Sequence, residues 1–173
     1  MRAAQGLRAA ATSLALLTAG TAAACSGGQG LALPTASDLE GLYGPDPEVT
    51  LNGNVVDVRV VQPASQLARG GTLWARVGPY IYLFSPQTQE LFEGYTGLAA
   101  VRVRTLDSGG ERVAEALLER GTLNSLTWPR ARQLVGRARL EGTTRPSYMI
   151  DLVRYGEEHA GFTYNSRYVG TQP

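Results

Sequence analysis

Alternation of apolar and charged side chains predicts two β-strands in the middle of the chain. Between residues 54 and 62 valine alternates with Asp57 and Arg59, and residues 100–105 repeat the pattern with valine and arginine. Successive side chains of a strand point to opposite faces, so this period of two gives each strand one apolar face. We expect both segments to contribute to a sheet with one buried face.

The segment between these two strands is apolar and fits either two strands or one helix. Residues 73–84 are rich in aromatic and β-branched side chains, which favours strands on either side of Gly78 and Pro79. A buried helix over the same residues stays open, because a short apolar run does not distinguish the two by its period.

Helical spacing of apolar residues predicts three helices in the next part of the chain. The first covers residues 85–95, where serine and proline occupy the N-cap and first helical positions. The second covers residues 111–120, and the third covers residues 127–138 with Thr127 as its N-cap.

The last residues predict one more helix and an edge strand. Pro146 begins the helix, and Gly156 is expected to end it in a left-handed conformation. Phe162 and Tyr164 alternate with polar residues and indicate a strand at the edge of the sheet. The predicted fold is α+β: a small, mostly antiparallel or mixed sheet with about three to four helices packed on one face.

The first residues have the three parts of a secretory signal. Residues 1–8 are cationic, residues 9–24 carry no charge, and small residues precede residue 25. The uncharged stretch is shorter than the roughly 20 apolar residues of a membrane-spanning helix. We therefore expect residues 1–24 to be a cleaved signal peptide.

The only cysteine of the chain follows this segment directly. Residues 22–26 read Ala-Ala-Ala-Cys-Ser, which resembles the lipobox of bacterial lipoproteins over residues 1–25. The resemblance implies a lipid on Cys25 that attaches the protein to a membrane, and Ser26 is similar to the outer-membrane sorting pattern of cells with two membranes. Ala22 departs from the leucine commonest there, and ordinary cleavage at the same position stays an alternative.

A tether and one domain are expected after the signal. Residues 25–37 are rich in Gly, Ser and Pro and predict a flexible tether, and residues 38–173 predict a single domain. Of the 16 basic residues, Arg2 and Arg8 belong to the signal, which leaves 14 against 15 acidic residues. This balance predicts no nucleic-acid partner.

Two absences from the composition exclude whole classes of chemistry. Every basic residue is arginine, so lysine-dependent P-loops, kinases and Schiff-base enzymes are excluded. His159 is the only histidine and Cys25 the only cysteine, so one chain lacks the three or four ligands of a Cys/His zinc site. We expect neither a metal nor another cofactor.

One short motif resembles an enzyme family. Residues 107–109 read Asp-Ser-Gly, as in retroviral-type aspartic proteases, and residues 134–136 are similar to the apolar-apolar-Gly motif of that family. The resemblance implies a homodimer in which two aspartates share a proton. The alternative is a turn that joins a strand to a helix, in which Asp107 or Ser108 accepts the first backbone N–H groups.

Two further features have a functional and a structural interpretation. His159 follows two glutamates and is formally able to act as a base, but no Gly-x-Ser-x-Gly nucleophile accompanies it, so a surface or capping role is expected.

One predicted helix carries four arginines that would suit anionic lipid headgroups or another polyanion: Arg130, Arg132, Arg137 and Arg139. Their spacing also fits two solvated stripes that flank an apolar face.

The resulting hypothesis is an exported, lipid-anchored envelope protein, on the periplasmic side of the outer membrane where the cell has one. We expect a non-enzymatic binding or assembly module for an unidentified envelope protein or polymer. A hydrolase that uses a pair of carboxylates is the alternative. Capture of a small ligand in an apolar pocket is a third possibility. A set of aromatic residues would suit either a groove for sugar or peptide or the core and edge strands: Trp74, Tyr80, Tyr82, Tyr148, Tyr155, Tyr164 and Tyr168.

Overall fold

A five-stranded mixed sheet organises residues 31–169, the part of the chain that the computed structural model describes. Its strands lie side by side in chain order: β1 Glu48–Asn52, β2 Val55–Val61, β3 Ala100–Leu106, β4 Arg112–Glu119 and β5 Gly161–Tyr164. The β2–β3 pair is parallel, and the other three pairs are antiparallel. The predicted α+β fold with a mixed sheet is confirmed.

Six helices accompany the sheet within residues 31–169. They are α1 Ala36–Leu39, α2 Ala64–Leu83, α3 Pro86–Gly94, α4 Thr127–Glu141, α5 Pro146–His159 and α6 Ser166–Val169. None of the helices in this part of the chain is both long enough and apolar enough to span a membrane. The predicted helices at residues 85–95 and 127–138, the helix start at Pro146 and the edge strand are all present.

The helices cover the apolar face of the sheet. Val56, Val58 and Val60 of β2 are almost completely buried on this face. The helix α2 packs across β3 and β4, α5 packs on α2, and α4 packs on α5. Each fully buried valine contributes roughly 1.5–3 kcal/mol, so the alternating valines of the strands hold the helical layer in place.

The other face of the sheet carries a network of four charges. Asp57 accepts a hydrogen bond from Arg102 (3.2 Å) and lies 3.5 Å from the guanidinium of Arg104. Arg104 also donates to Glu115 at 2.7 Å. The charged side chains that alternate with the valines therefore neutralise one another across three neighbouring strands.

Residues 73–84 form a helix and not two strands. Residues 73–83 belong to α2 and Phe84 is its C-cap, and Gly71 with φ of 53° separates the N-terminal turns of this helix from the rest. The buried side chains of Trp74, Val77 and Ile81 recur at helical spacing. Strand propensity reflects packing on a half-exposed surface, and this segment is buried in the helical layer, so its aromatic residues do not require strands.

The predicted helix at residues 111–120 is wrong, because this segment is strand β4. Its alternate residues Ala114, Ala116 and Leu118 point into the core. The apolar residues of this segment fit both the period of a helix, about 3.6 residues, and that of a strand, two residues. The turn after β3 brings the chain back beside that strand, and the antiparallel pairing then selects the strand.

Two predicted helix boundaries also differ from the structure. The helix α5 continues through Gly156 to His159, so Gly156 is not a left-handed stop. The N-cap of α4 is Leu126 and not Thr127. The side chain of Asn124 provides the cap, since its Oδ1 accepts the backbone N–H groups of Leu126 (2.9 Å) and Thr127 (3.1 Å).

The chain joins the domain at the end of the sheet where β3 begins. The carbonyl of Ala32 accepts the N–H of Gly97 at 2.8 Å, and Pro34 is buried. Thr35 and Asp38 then form a capping box at the start of α1. Contacts with the domain therefore begin within the residues assigned to the tether, and α1 leads from there to β1.

Candidate functional site

A cleft of about 1130 Å³ lies at the opposite end of the sheet, where β2 ends. The loop before β1, the end of β2, one side of α2 and Arg139 of α4 form its walls. The lining residues are Tyr43, Pro45, Asp46, Val60, Val61, Gln62, Pro63, Ser65, Gln66, Trp74, Gly78, Ile81, Tyr82 and Arg139. This volume is slightly above the range of about 300–1,000 Å³ that is typical of ligand-binding clefts.

Gln62 is a buried polar residue of this cleft, and only 4% of its surface is exposed. Its Nε2 donates to the carbonyl of Trp74 at 3.1 Å, and Gly78 leaves room for the carboxamide, since a Cβ there would lie 2.5 Å from Nε2. Its Oε1 has no hydrogen-bond partner. A buried acceptor without a donor costs about 1–3 kcal/mol, so a ligand N–H or O–H that reaches it gains free energy.

Arg139 supplies a positive charge to the same cleft. Its guanidinium carbon lies 6.0 Å from the ring centre of Tyr82, and its Nη2 lies 3.5 Å from the carbonyl of Ile81. Within residues 31–169, no carboxylate lies within ion-pair distance of it; the ion pairs of this part involve other arginines. Arg139 is therefore available to an anionic group.

Two opposite charges, those of Arg139 and Asp46, act on the phenol of Tyr82 at this site. Burial raises the pKa of its phenol, the charge of Arg139 acts in the lowering direction, and that of Asp46 acts in the raising direction. Both charges are therefore close enough to act on one phenol.

The two polar groups of the cleft contact α2 at different heights. Gln62 contacts the carbonyl of Trp74, and Arg139 contacts that of Ile81, seven residues further along the helix. The two groups are therefore about 10 Å apart along the helix axis.

The four arginines predicted to contact a polyanion do not form one patch. Arg137 lies over the ring of Tyr148 at 5.6 Å, on the α5 side of α4. Arg130 also faces this side, because its charge acts in the lowering direction on the pKa of Tyr155, which burial raises. On the other flank, Arg139 lines the cleft and Arg132 lines a second cavity. The polyanion contact of the four residues stays a prediction.

The Asp-Ser-Gly motif forms the turn between β3 and β4. Oδ1 of Asp107 accepts the N–H groups of Gly109 (2.9 Å) and Glu111 (2.8 Å), and its Oδ2 accepts the phenol of Tyr168 at 2.6 Å. The phenol of Tyr168 and these N–H groups lower the pKa of Asp107. Asp107 therefore accepts backbone N–H groups, as the turn interpretation predicts. The turn joins two strands, however, and not a strand and a helix.

His159 ends α5 in a capping position. Its ring stacks on Tyr155 with 4.1 Å between centres, and its Nδ1 lies 2.9 Å from the carbonyl of Tyr155. Glu157, two residues earlier, forms an ion pair with Arg76 of α2 and not with His159. This arrangement fits the structural interpretation of His159.

Several aromatic residues serve the core and do not line one groove. Tyr80 and Tyr164 share a hydrogen bond of 2.7 Å, and Tyr164 donates to Glu157 at 2.9 Å. Burial, and after it the hydrogen bond and charge of Glu157, raise the pKa of Tyr164 to about 12, whereas the hydrogen bond with Tyr80 acts in the lowering direction. Of the predicted aromatic set, Trp74 and Tyr82 line the cleft.

A second cavity of about 410 Å³ at the opposite end of the sheet has two carboxylates in its lining. Glu93 and Glu119 both line it, together with Arg120 and Arg132. Glu93 accepts a hydrogen bond from Gln89 at 2.7 Å. Among residues 31–169, no group of three or more His, Cys, Asp or Glu is placed to hold a metal ion.

Sequence reasoning missed Gln62, which is the residue that distinguishes the cleft. It is the last residue of the strand predicted at residues 54–62, and only the structure shows that it is buried against Gly78. Arg139 was found from charge alone. Cys25, the predicted lipidation site, lies outside the described residues.

Comparison with known proteins adds no relative: no family model, no curated protein and no solved structure matches the chain.

Proposed function

We propose that the chain is a lipid-anchored protein of the cell envelope that works as a binding or assembly module and not as an enzyme. The lipobox-like sequence before Cys25 supports the anchor. The cleft supports the binding role, and one observation carries it: the buried Oε1 of Gln62 has no donor, while Arg139 of the same cleft has no carboxylate partner within residues 31–169.

The chemistry of the cleft defines the kind of partner. A segment of an envelope protein or polymer would place an anionic group on Arg139 and an N–H or O–H group on Gln62, about 10 Å away. Tyr82 and Ile81 would contact the apolar part between them. A charge-assisted hydrogen bond to arginine is roughly twice as strong as a neutral one, so Arg139 is expected to contribute most of the affinity.

Fractionation of cells tests the anchor. Replacement of Cys25 by Ser should move the protein from the membrane to the soluble fraction, because the thioether needs the sulfur atom. Intact mass of the native protein should show that residues 1–24 are absent and acyl mass is present. A Cys25→Ser protein that still sediments with membranes contradicts the anchor.

Site-specific photocrosslinking tests the cleft in intact cells. A photoreactive residue in place of Gln66, inside the cleft, should capture a defined partner. Arg139→Ala should abolish the crosslink and Arg137→Ala should keep it, since Arg137 lies on the other flank of α4. Equal crosslinking in both variants contradicts the binding role of the cleft.

A carboxylate-based hydrolase is the second candidate, and the shared cavity of Glu93 and Glu119 is the observation that favours it. Such enzymes need one acid to protonate the leaving group and a second to act as base or nucleophile. Purified cell-wall glycan incubated with the protein provides the assay. Release of soluble sugar that is lost in Glu119→Gln but kept in Glu158→Gln would favour the hydrolase over the binding module.

A further inference from the structure

One end of the domain has loops without charged side chains and exposes leucine. Four segments meet there: residues 31–35, 52–54, 96–99 and 121–127. None of them contains Asp, Glu, Arg or His. Leu31, Leu33 and Leu126 are exposed over 71%, 40% and 83% of their surfaces. We call these four segments the uncharged end.

Hydrogen bonds hold the segments of the uncharged end together. Residues 96–99 are bonded to each of the other three segments or to the residue next to it. The N–H of Gly97 donates to Ala32 O (2.8 Å), and that of Ala99 donates to Asn54 O (2.8 Å). The N–H of Arg120, which precedes the fourth segment, donates to Ala99 O (2.7 Å). Asn124 lines the same cavity as Arg120, and its side chain accepts the N–H of Leu126. The exposed leucines therefore belong to a fixed surface at the start of β3.

The length of chain between the domain and Cys25 limits how far this end can lie from the proposed lipid. Ala32 is bound to the domain and lies seven positions after Cys25 in the sequence. Even fully extended, seven residues span at most about 25 Å. Acyl chains on Cys25 lie in the bilayer, so the uncharged end must stay close to the membrane surface.

We infer that the uncharged end docks on the lipid bilayer, with Leu31, Leu33 and Leu126 inserted at the headgroup level. Exposed apolar side chains gain free energy when they enter this interface, and the four segments themselves contribute no ionic group that would have to be desolvated there. The inference rests on the proposed anchor at Cys25.

The docked orientation decides which surfaces face away from the lipid. The turn after β3 at the other end carries Asp107 and Glu111, which belong in water. The cleft of Gln62 and Arg139 lies at that end too, about 20 Å away along the seven-residue strands. The bilayer therefore leaves the cleft accessible, whereas it lies close to the cavity of Glu93 and Glu119.

In the same orientation, the four arginines of α4 lie at different distances from the membrane surface. This helix begins beside Leu126 and leads away from the uncharged end. Arg130 and Arg132 lie about 6–9 Å from Leu126 along the axis, and Arg137 and Arg139 lie about 17–20 Å away. The first two reach the headgroups, and Arg139 stays with the cleft.

Fluorescent labelling of the acylated full-length protein tests the docking. With Cys25 acylated, a cysteine introduced by Leu33→Cys, Leu126→Cys or Leu140→Cys is the only free thiol and takes an environment-sensitive dye. Leu140 is the matched control, because it is 85% exposed and lies at the other end of α4. Each protein is reconstituted into vesicles of phosphatidylethanolamine and phosphatidylglycerol.

Dyes at residues 33 and 126 should shift to shorter emission wavelength and be quenched by nitroxide-labelled lipid, and the dye at residue 140 should show neither effect. Identical emission at residues 126 and 140 in protein with confirmed acyl mass overturns the docking and leaves the anchor intact. Quenching at residue 126 that disappears at high salt also overturns it, because arginine contacts and not leucine insertion would then hold the domain. Absence of acyl mass overturns the anchor and, with it, this orientation.

Discussion

Gly156 of α5 packs directly against the ring of Tyr80 of α2, with no room between them for a side chain. A Cβ at this position would overlap the ring carbons. The ring is fixed, because the phenol of Tyr80 bonds to that of Tyr164 and Phe84 stacks on it at 5.8 Å. The closeness of the two helices therefore depends on this glycine.

Gly156→Ala should destabilise the domain. Overpacking of a core costs about 1–3 kcal/mol, which exceeds the gain of up to about 1 kcal/mol in helix propensity. Gly136→Ala in α4 is the control, because nothing lies within 4 Å of a Cβ there, and it should stabilise the domain. Urea unfolding of the mature chain with Cys25→Ser measures both. A stable Gly156→Ala protein would show that the helices separate without cost.

Arg120 connects the end of β4 to the end of α3. Its guanidinium donates to three backbone carbonyls, those of Phe92, Tyr95 and Leu98. Arg120→Ala should lower the free energy of unfolding by roughly 2 kcal/mol or more, because buried acceptors lose charged donors. Arg120→Lys should not restore it, since one ammonium lacks the planar fork of donors.

Arg112→Ala is the comparison for this prediction. Arg112 is 52% exposed, and its nearest carboxylate, Glu115, lies 3.7 Å away. Exposed ion pairs contribute about 0–1 kcal/mol. Thermal unfolding of the three variants tests the difference; an Arg120→Ala protein as stable as Arg112→Ala would contradict it.

Tyr168 controls the ionisation of Asp107. The hydrogen bond lowers the pKa of the carboxyl group and, through the same contact, raises the pKa of Tyr168 to about 12. A carboxylate with a lowered pKa stabilises the folded state above its unfolded pKa of about 4, and this contribution disappears as the pH falls through the lowered value. Tyr168→Phe should therefore raise the pKa of Asp107 and reduce the loss of stability in acid.

Carbon-detected NMR titration of the Asp107 carboxyl group measures this shift. Tyr148→Phe is the control, because Tyr148 bonds to Arg145 and not to Asp107. An Asp107 pKa that does not change in Tyr168→Phe would mean that the backbone N–H groups alone lower it.

Gln62→Met should be neutral for folding and harmful for binding. The substitution removes a buried acceptor that has no donor, and loses one hydrogen bond to Trp74. These two effects, each about 1 kcal/mol, oppose each other. The free energy of unfolding should stay within about 1 kcal/mol, while the crosslink from the cleft is lost. A loss of stability above about 2 kcal/mol would assign Gln62 a structural role instead.

Local pattern predicts an element where one period fits and fails where two periods fit. Valine alternation identified β2 and β3, because a half-buried strand requires it. Residues 111–120 carry apolar side chains at positions that suit a helix and a strand equally, and only pairing with β3 decides between them. Glycine is a common residue at helix ends, but Gly156 lies inside α5. It is needed there because the ring of Tyr80, a residue distant in sequence, leaves no room for a side chain.

The candidate site was less accessible to sequence reasoning than the fold. Arg139 could be identified because charge is visible in composition. Gln62 is notable because it is buried and because its Oε1 has no hydrogen-bond donor, and neither property can be recognised from the sequence. The same holds for the uncharged end, whose four segments are far apart along the chain.

The single parallel pair of the sheet has a consequence for the folding rate. The β1–β2 and β3–β4 hairpins bring together residues that are close in sequence, so each forms with little loss of chain entropy. The β2–β3 pair aligns Val55 with Ala100, and the chain between them must first fold back as α2 and α3. We expect this long-range closure to limit the speed of folding, because non-local contacts slow the search for the native topology.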